Sequence, residues 1–143
     1  MSPNGMVTTP DYLTSQAALE ILQQGGNAIE AALTAASILT VVYAHMNSLG
    51  GDSFWLIYNA KDRELKGLNA SGRAGEKATI DFYQDRGYNK IPSRGYFATN
   101  TVPGVISGWQ EVHNYVAATI GNHLTWHQLL DFAIKYAEAG FAV

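Results

Sequence analysis

Asn47-Ser48-Leu49-Gly50-Gly51-Asp52-Ser53-Phe54-Trp55-Leu56-Ile57-Tyr58 decides how the rest of this 143-residue chain is read. An uncharged helix-like segment runs into it, a glycine pair turns it, and a strand of aromatic and aliphatic residues leaves it. Gly50 and Gly51 let the backbone take dihedrals closed to other residues and let another segment come close. Asn59-Ala60-Lys61-Asp62-Arg63-Glu64 reads as a polar turn, and Leu65-Lys66-Gly67-Leu68-Asn69 as the returning strand. That strand delivers Ser71-Gly72-Arg73-Ala74-Gly75, where one arginine stands between small residues. Small neighbours suit a place where something approaches the backbone, and a guanidinium suits a carboxylate. Arg73 is therefore the candidate ligand-binding residue; its alternative is an ordinary surface or ion-pair arginine. Asp52 is either a polar site residue or the cap of a turn through its own backbone.

Upstream of this stretch, Asp11 or Thr14 can cap a helix whose apolar side is Leu13, Ala17, Ala18, Ile21 and Leu22. Gly25-Gly26 ends it. Asn27 and Glu30 then have capping-box spacing, which predicts a second helix from Ala28 to about Tyr43. Its alanines allow close approach to another helix or a sheet, so it belongs in the centre. No Asp, Glu, Lys or Arg lies between Glu30 and Asp52, long enough to consider a membrane span. Thr34, Ser37, Thr40, Tyr43, His45, Asn47 and Ser48 argue instead for a buried helix of a globular protein.

Downstream, Lys77 to Tyr83 reads as a turn of helix capped by Thr79, and Asp85 to Gly95 as a polar loop. Phe97 to Val102 is a strand candidate that stops at Pro103-Gly104. A helix follows from Val105, with Ile106, Trp109, Val112 or His113, and Val116 on one face. The last helix carries a capping box at Thr125 and Gln128, a stripe of Leu129, Leu130, Ala133, Ile134 and Ala137, and a closing Gly140. Trp109, Trp126, Phe132 and Tyr136 read as core or interface.

Composition narrows the function classes. An apolar fraction of 47% with only 15% charged residues is globular and poor in charged surface. A net charge of −3 without a basic cluster argues against nucleic acid. The absence of cysteine excludes disulfides, thiolate metal sites and a cysteine nucleophile. His123 and His127 have i,i+4 spacing, but His123 precedes the cap Thr125 and no glutamate follows it, so no metal is expected. Gly50-Gly51 lacks the lysine of a phosphate loop. Met1 to Pro10 lacks the basic start and apolar run of a secretory signal, which predicts a cytoplasmic protein.

Several motifs in order resemble one family. Gln24-Gly25-Gly26-Asn27-Ala28 with Ala31-Ala32, and Gly50-Gly51 before an aromatic strand, look like the large-subunit start of gamma-glutamyltranspeptidases. So do Ala78-Thr79 with Asp81-Phe82, Val102-Pro103-Gly104 with Gly108, and Leu129-Leu130, Ala133-Ile134 and Ala137 to Val143. The resemblance covers the chain from about Gly5 to Val143. It implies an α+β chain forming the N-terminal portion of a four-layer αββα N-terminal-nucleophile hydrolase. Residues 1–143 are then a single segment of a precursor that cuts itself into two chains.

The resemblance further implies hydrolysis or transfer of a gamma-glutamyl or related amide through an acyl-enzyme on a threonine, whose own α-amine serves as base. That threonine lies in a Thr-Thr-His-type motif far downstream in the family, and Thr8-Thr9-Pro10 is not that motif. No catalytic residue is therefore expected in this chain, and no cofactor. The implied partners are the remaining catalytic part and a small-molecule amide; a homo-oligomer of the full enzyme is compatible. The family's large chain grips the substrate's α-carboxylate with an arginine in an Arg-Glu-x-Ala-Pro motif. Counted back from Ala78-Thr79, that arginine falls on Ser71, whereas this sequence has Arg73. A two-residue offset keeps the same face of an extended segment but moves the side chain by about 6.5 Å. Asp52 also stands where the family continues with glycine. Both departures resemble the gamma-glutamyltranspeptidase-like branch that includes acylases. The alternative is a non-catalytic module that keeps Arg73 to hold a small carboxylate.

Overall fold

The computed structural model describes residues 2–142, so Met1 and the Val143 that ends the last quoted motif lie outside the described residues. The chain is α+β. Helices α1 (Tyr12–Gln23) and α2 (Ala28–Val42) are followed by strands β1 (Ser53–Asn59) and β2 (Glu64–Ala70). A short α3 (Ile80–Gln84), a 3-10 turn at Tyr96–Ala98, α4 (Val105–Thr119) and α5 (Trp126–Ala139) complete it.

The helix starts are fixed by side chains reaching back to free N–H groups. The Asp11 carboxylate accepts from the Thr14 amide at 3.1 Å, and the Thr79 hydroxyl accepts from the Phe82 amide at 3.2 Å. Asn27 with Glu30 and Thr125 with Gln128 form the two capping boxes. Gly25 ends α1 with a φ of 92°, a conformation that L side chains rarely adopt.

Helix α2 is the centre of the packing, between α1 and α5 with α4 beside it. Its buried residues include Ile29, Ala31, Leu33, Ala35 and Ile38, a face too wide for a surface helix. The polar residues that argued against a membrane span are used inside: the Thr34 hydroxyl donates to the Leu129 carbonyl at 2.9 Å, and Ser37 donates to Thr34 at 2.8 Å. No helix among the described residues is long and apolar enough to cross a membrane.

Glu30 is fully buried, and its carboxylate is answered by three main-chain amides. Oε2 accepts from Asn27 at 2.8 Å, and Oε1 accepts from His123 and Leu124, each at 2.8 Å. The capping glutamate thus also holds the link that leads into α5.

β1 and β2 pair antiparallel in register, Ser53 with Ala70 through Asn59 with Glu64. Trp55 and Ile57 face the helices, with Leu68 of β2 on the same side. Phe54, Leu56 and Tyr58 point the other way at 69%, 81% and 62% exposure, joined by Leu65 at 66%. Nothing among the described residues covers that apolar face.

Three expectations are corrected. Phe97 to Val102 is not a strand: Gly95, with φ 86°, turns the chain into the 3-10 turn, and Phe97 packs against Phe82, Tyr88 and Tyr96. Only Thr101 pairs, in a single bridge with Ala74, before Pro103 removes the next donor. On α4 the inward face runs Val105, Gly108, Trp109, Val112 and Val116, and Ile106 is exposed. On α5 Leu129 and Ala133 are buried, while Ile134 and Ala137 face outward.

Replacing Glu30 with Ala leaves His123, Leu124 and Asn27 amides without their acceptor. The expected loss is about 3 kcal/mol of unfolding free energy in a denaturant titration of the full-length protein. Thr125→Ala, which removes only a local cap, is expected to cost about 1 kcal/mol. Equal costs would contradict the long-range role of Glu30.

Candidate substrate-binding arm

The segment Ser71 to Gly75 leaves β2 as an arm held by the Asp52 carboxylate on one side and by the main chain of Asn100 to Val102 on the other. The Gly72 amide donates to Asp52 Oδ1 at 2.7 Å. The Val102 amide donates to the Arg73 carbonyl at 2.9 Å, and the Gly75 amide donates to the Asn100 carbonyl at 3.0 Å. The Ser71 amide donates to Asn69 Oδ1 at 3.0 Å. Asp52 therefore ties the entry of the hairpin to its exit, not its own turn.

Glycines make this crossing possible, though not the pair singled out from the sequence. A Cβ on Gly72 would overlap the Val102 carbonyl, and one on Gly104 would overlap the Ala70 carbonyl. A Cβ on Gly108 would collide with Ser53 Oγ and stand 2.6 Å from Ala70 Cβ. Gly50 and Gly51, by contrast, have room, since added Cβ atoms would lie 3.9 and 3.7 Å from Ser48 Oγ, at ordinary contact. Neither has a positive φ. Gly51 contributes through its carbonyl, which accepts from Gly104 at 2.9 Å and Val105 at 3.1 Å and so anchors the start of α4. Gly108 sits inside the apolar stripe of α4, and a glycine at such a position is the sequence signal for close approach.

The side chains on this arm are Ser71 and Arg73, both exposed. In an extended run they share a face. No carboxylate among the described residues pairs with Arg73; the ion pairs are Lys66 with Glu64 and Lys135 with Asp131. Those pairs raise the two lysine pKa values, chiefly through the hydrogen bonds to Glu64 and Asp131, and burial raises Tyr136. All three groups lie on β2 and α5. His123 and His127 do not converge on a ligand: the His123 amide is engaged by Glu30, and no group of three metal-ligating side chains occurs among the described residues.

Residues 14–143 match the family described as gamma-glutamyltranspeptidase. The chain belongs to the gamma-glutamyltranspeptidase family. It is 46% identical over 143 residues to the oxamate amidohydrolase proenzyme of Klebsiella pneumoniae, covering all of this chain and 26% of that one. Among solved structures it superposes on the gamma-glutamyltranspeptidase of Helicobacter pylori with a TM-score of 0.84 at 31% identity, covering all of this chain and 40% of the other. The cephalosporin acylase of Bacillus halodurans gives a TM-score of 0.80 at 35% identity, covering all of this chain and 27% of that one. The chain thus spans about a quarter of the length of the curated relatives it matches. Its α+β fold is that of the matching part of these enzymes.

The crossing makes a contrast that stability measurements can read. Gly72→Ala or Gly104→Ala drives a methyl group into a main-chain carbonyl and is expected to cost about 3 kcal/mol or more. Gly50→Ala is expected to stay within about 1 kcal/mol of the parent. Thermal unfolding of the full-length variants decides between them, and a Gly50 variant as damaged as Gly72 would refute this account of the arm.

Proposed function

We propose that this chain is one segment of a precursor that cleaves amides through an acyl-enzyme, with Arg73 holding a carboxylate of the substrate. The observation that carries the proposal is the placement of Arg73. Its guanidinium is exposed and lacks a carboxylate partner among the described residues, while the backbone beneath it is clamped from both sides. A cation fixed in this way can take a planar carboxylate in two parallel hydrogen bonds without reorganising the chain.

The chemistry named for the relatives supports the class. Oxamate amidohydrolase, glutathione hydrolase and cephalosporin acylase all act on amide or acyl bonds by name, and oxamate and glutathione both carry carboxylates. The nucleophile, a threonine freed at a new chain start with its own amine as base, belongs to the part of the precursor beyond these residues. The uncovered apolar face of the hairpin supports the same reading, because such a face needs a covering layer. Gamma-glutamyl compounds and shorter carboxylated amides both fit an arginine at position 73. Its offset from Ser71 favours an acyl group of different reach from the gamma-glutamyl group.

Two measurements test the proposal. Denaturing mass spectrometry with N-terminal sequencing of the full-length protein is expected to show two chains, the second beginning with threonine. An unprocessed single chain would defeat catalysis by this mechanism. In the processed enzyme, Arg73→Ala is expected to raise KM for a carboxylated amide by about 10- to 100-fold with a much smaller change in kcat, the signature of lost carboxylate binding. Unchanged KM would remove Arg73 from the site.

A further inference from the structure

Below the arm lies a concavity of about 350 Å³, between α3, the 3-10 turn and the segment that crosses to α4. Its walls are Phe82 and Tyr83 from α3, Tyr96 and Phe97 from the turn, and Val102. The walls are tied together. The Tyr83 hydroxyl donates to the Phe97 carbonyl at 3.1 Å, and Phe82, Tyr88 and Tyr96 have ring centroids within 6.0 Å of Phe97. The Arg86 guanidinium lies 3.9 Å from the Phe82 ring centre and donates to the Phe82 carbonyl at 2.8 Å, which fixes that ring from behind. The cleft is a built feature of the chain, not a gap between loose loops.

Its charge is one-sided. Among the described residues Lys77 is the only charged one in the lining, it is exposed, and it pairs with no carboxylate. No acidic side chain among the described residues lines the cleft. Aromatic walls favour a planar apolar group, and a single ammonium favours an anion attached to it. The volume suits such a molecule, since small-ligand sites start at about 300 Å³.

We infer that this cleft is a binding site for an aryl carboxylate, with the ring against Phe97 and Phe82 and the carboxylate on Lys77. Gly75, two residues beyond Arg73 on the same extended segment, lines it, so the arm forms part of its wall. The inference does not depend on the role given to Arg73.

Phenylacetate is the probe, titrated into the full-length, processed protein by calorimetry, with phenylacetamide as its uncharged counterpart. Saturable binding of phenylacetate, with phenylacetamide markedly weaker, is expected. Lys77→Gln, a change at an exposed position, is expected to weaken phenylacetate about fivefold. Phe97→Leu is expected to weaken both compounds by a similar factor, and an unaltered unfolding transition shows that the wall is intact. Arg73→Ala is expected to leave phenylacetate binding unchanged. Absence of saturable binding overturns the inference. Binding lost in Arg73→Ala but kept in Lys77→Gln overturns it too, by placing the carboxylate on the arm. Such a result would leave the Arg73 reading standing, whereas the reverse pattern supports the cleft and leaves the Arg73 reading to its own test on the carboxylated amide.

Discussion

The buried carboxylate of Glu30 is the constraint on which the helical part of this chain depends. A carboxylate without water is tolerable only when its oxygens are fully answered, and here three main-chain amides answer it. One amide is local and closes the start of α2. The other two come from His123 and Leu124, more than ninety residues away in sequence. A single side chain thus sets the register between the central helix and the entry to the last one. Thr34 continues the same tie one turn on, through the Leu129 carbonyl. With α2 and α5 fixed, α4 and the hairpin have a defined surface on which to lie.

The hairpin and the arm are organised by a different means. There the close contacts run from backbone to backbone at Gly72 and Gly104, and from backbone to the side chains of Ser53 and Ala70 at Gly108. Asp52 and the Gly51 carbonyl add polar ties from the β1 side to the arm and to α4. Side-chain packing can adjust to substitution; a carbonyl facing a missing Cβ cannot. The exposed Arg73 therefore rides on one of the most rigidly specified stretches of the molecule.

Local order was readable from the sequence, and long-range order was not. Both capping boxes, the Asp11 and Thr79 caps, the Gly25 stop and the hairpin with its polar turn are patterns spanning a few residues, and each is present. Arg73 stands out in the linear sequence because its neighbours are small. The second role of Glu30 was hidden, because capping-box spacing says nothing about amides at 123 and 124. Gly50-Gly51 drew attention as a visible pair, while Gly72, Gly104 and Gly108 are isolated and reveal their purpose only when the segments cross. Phe97 to Val102 has strand-like composition, but aromatic packing onto α3 outweighed it. Ile106 and Ile134 were placed inside because helical periodicity tolerates a neighbouring face when the partner surface is unknown.

An arm positioned by its main chain separates where a side chain stands from which side chain it is. Side chains at 71 and 73 share one face of the extended run, and neither takes part in the hydrogen bonds that hold its path. A cation can therefore migrate two places along this rail in the course of divergence, while the scaffold registers no change. The charge moves by about 6.5 Å, and the main-chain ties stay as they were. Position and identity are separable here because the glycines beneath the arm meet main chain or the far side of the hairpin, not the side chains at 71 and 73.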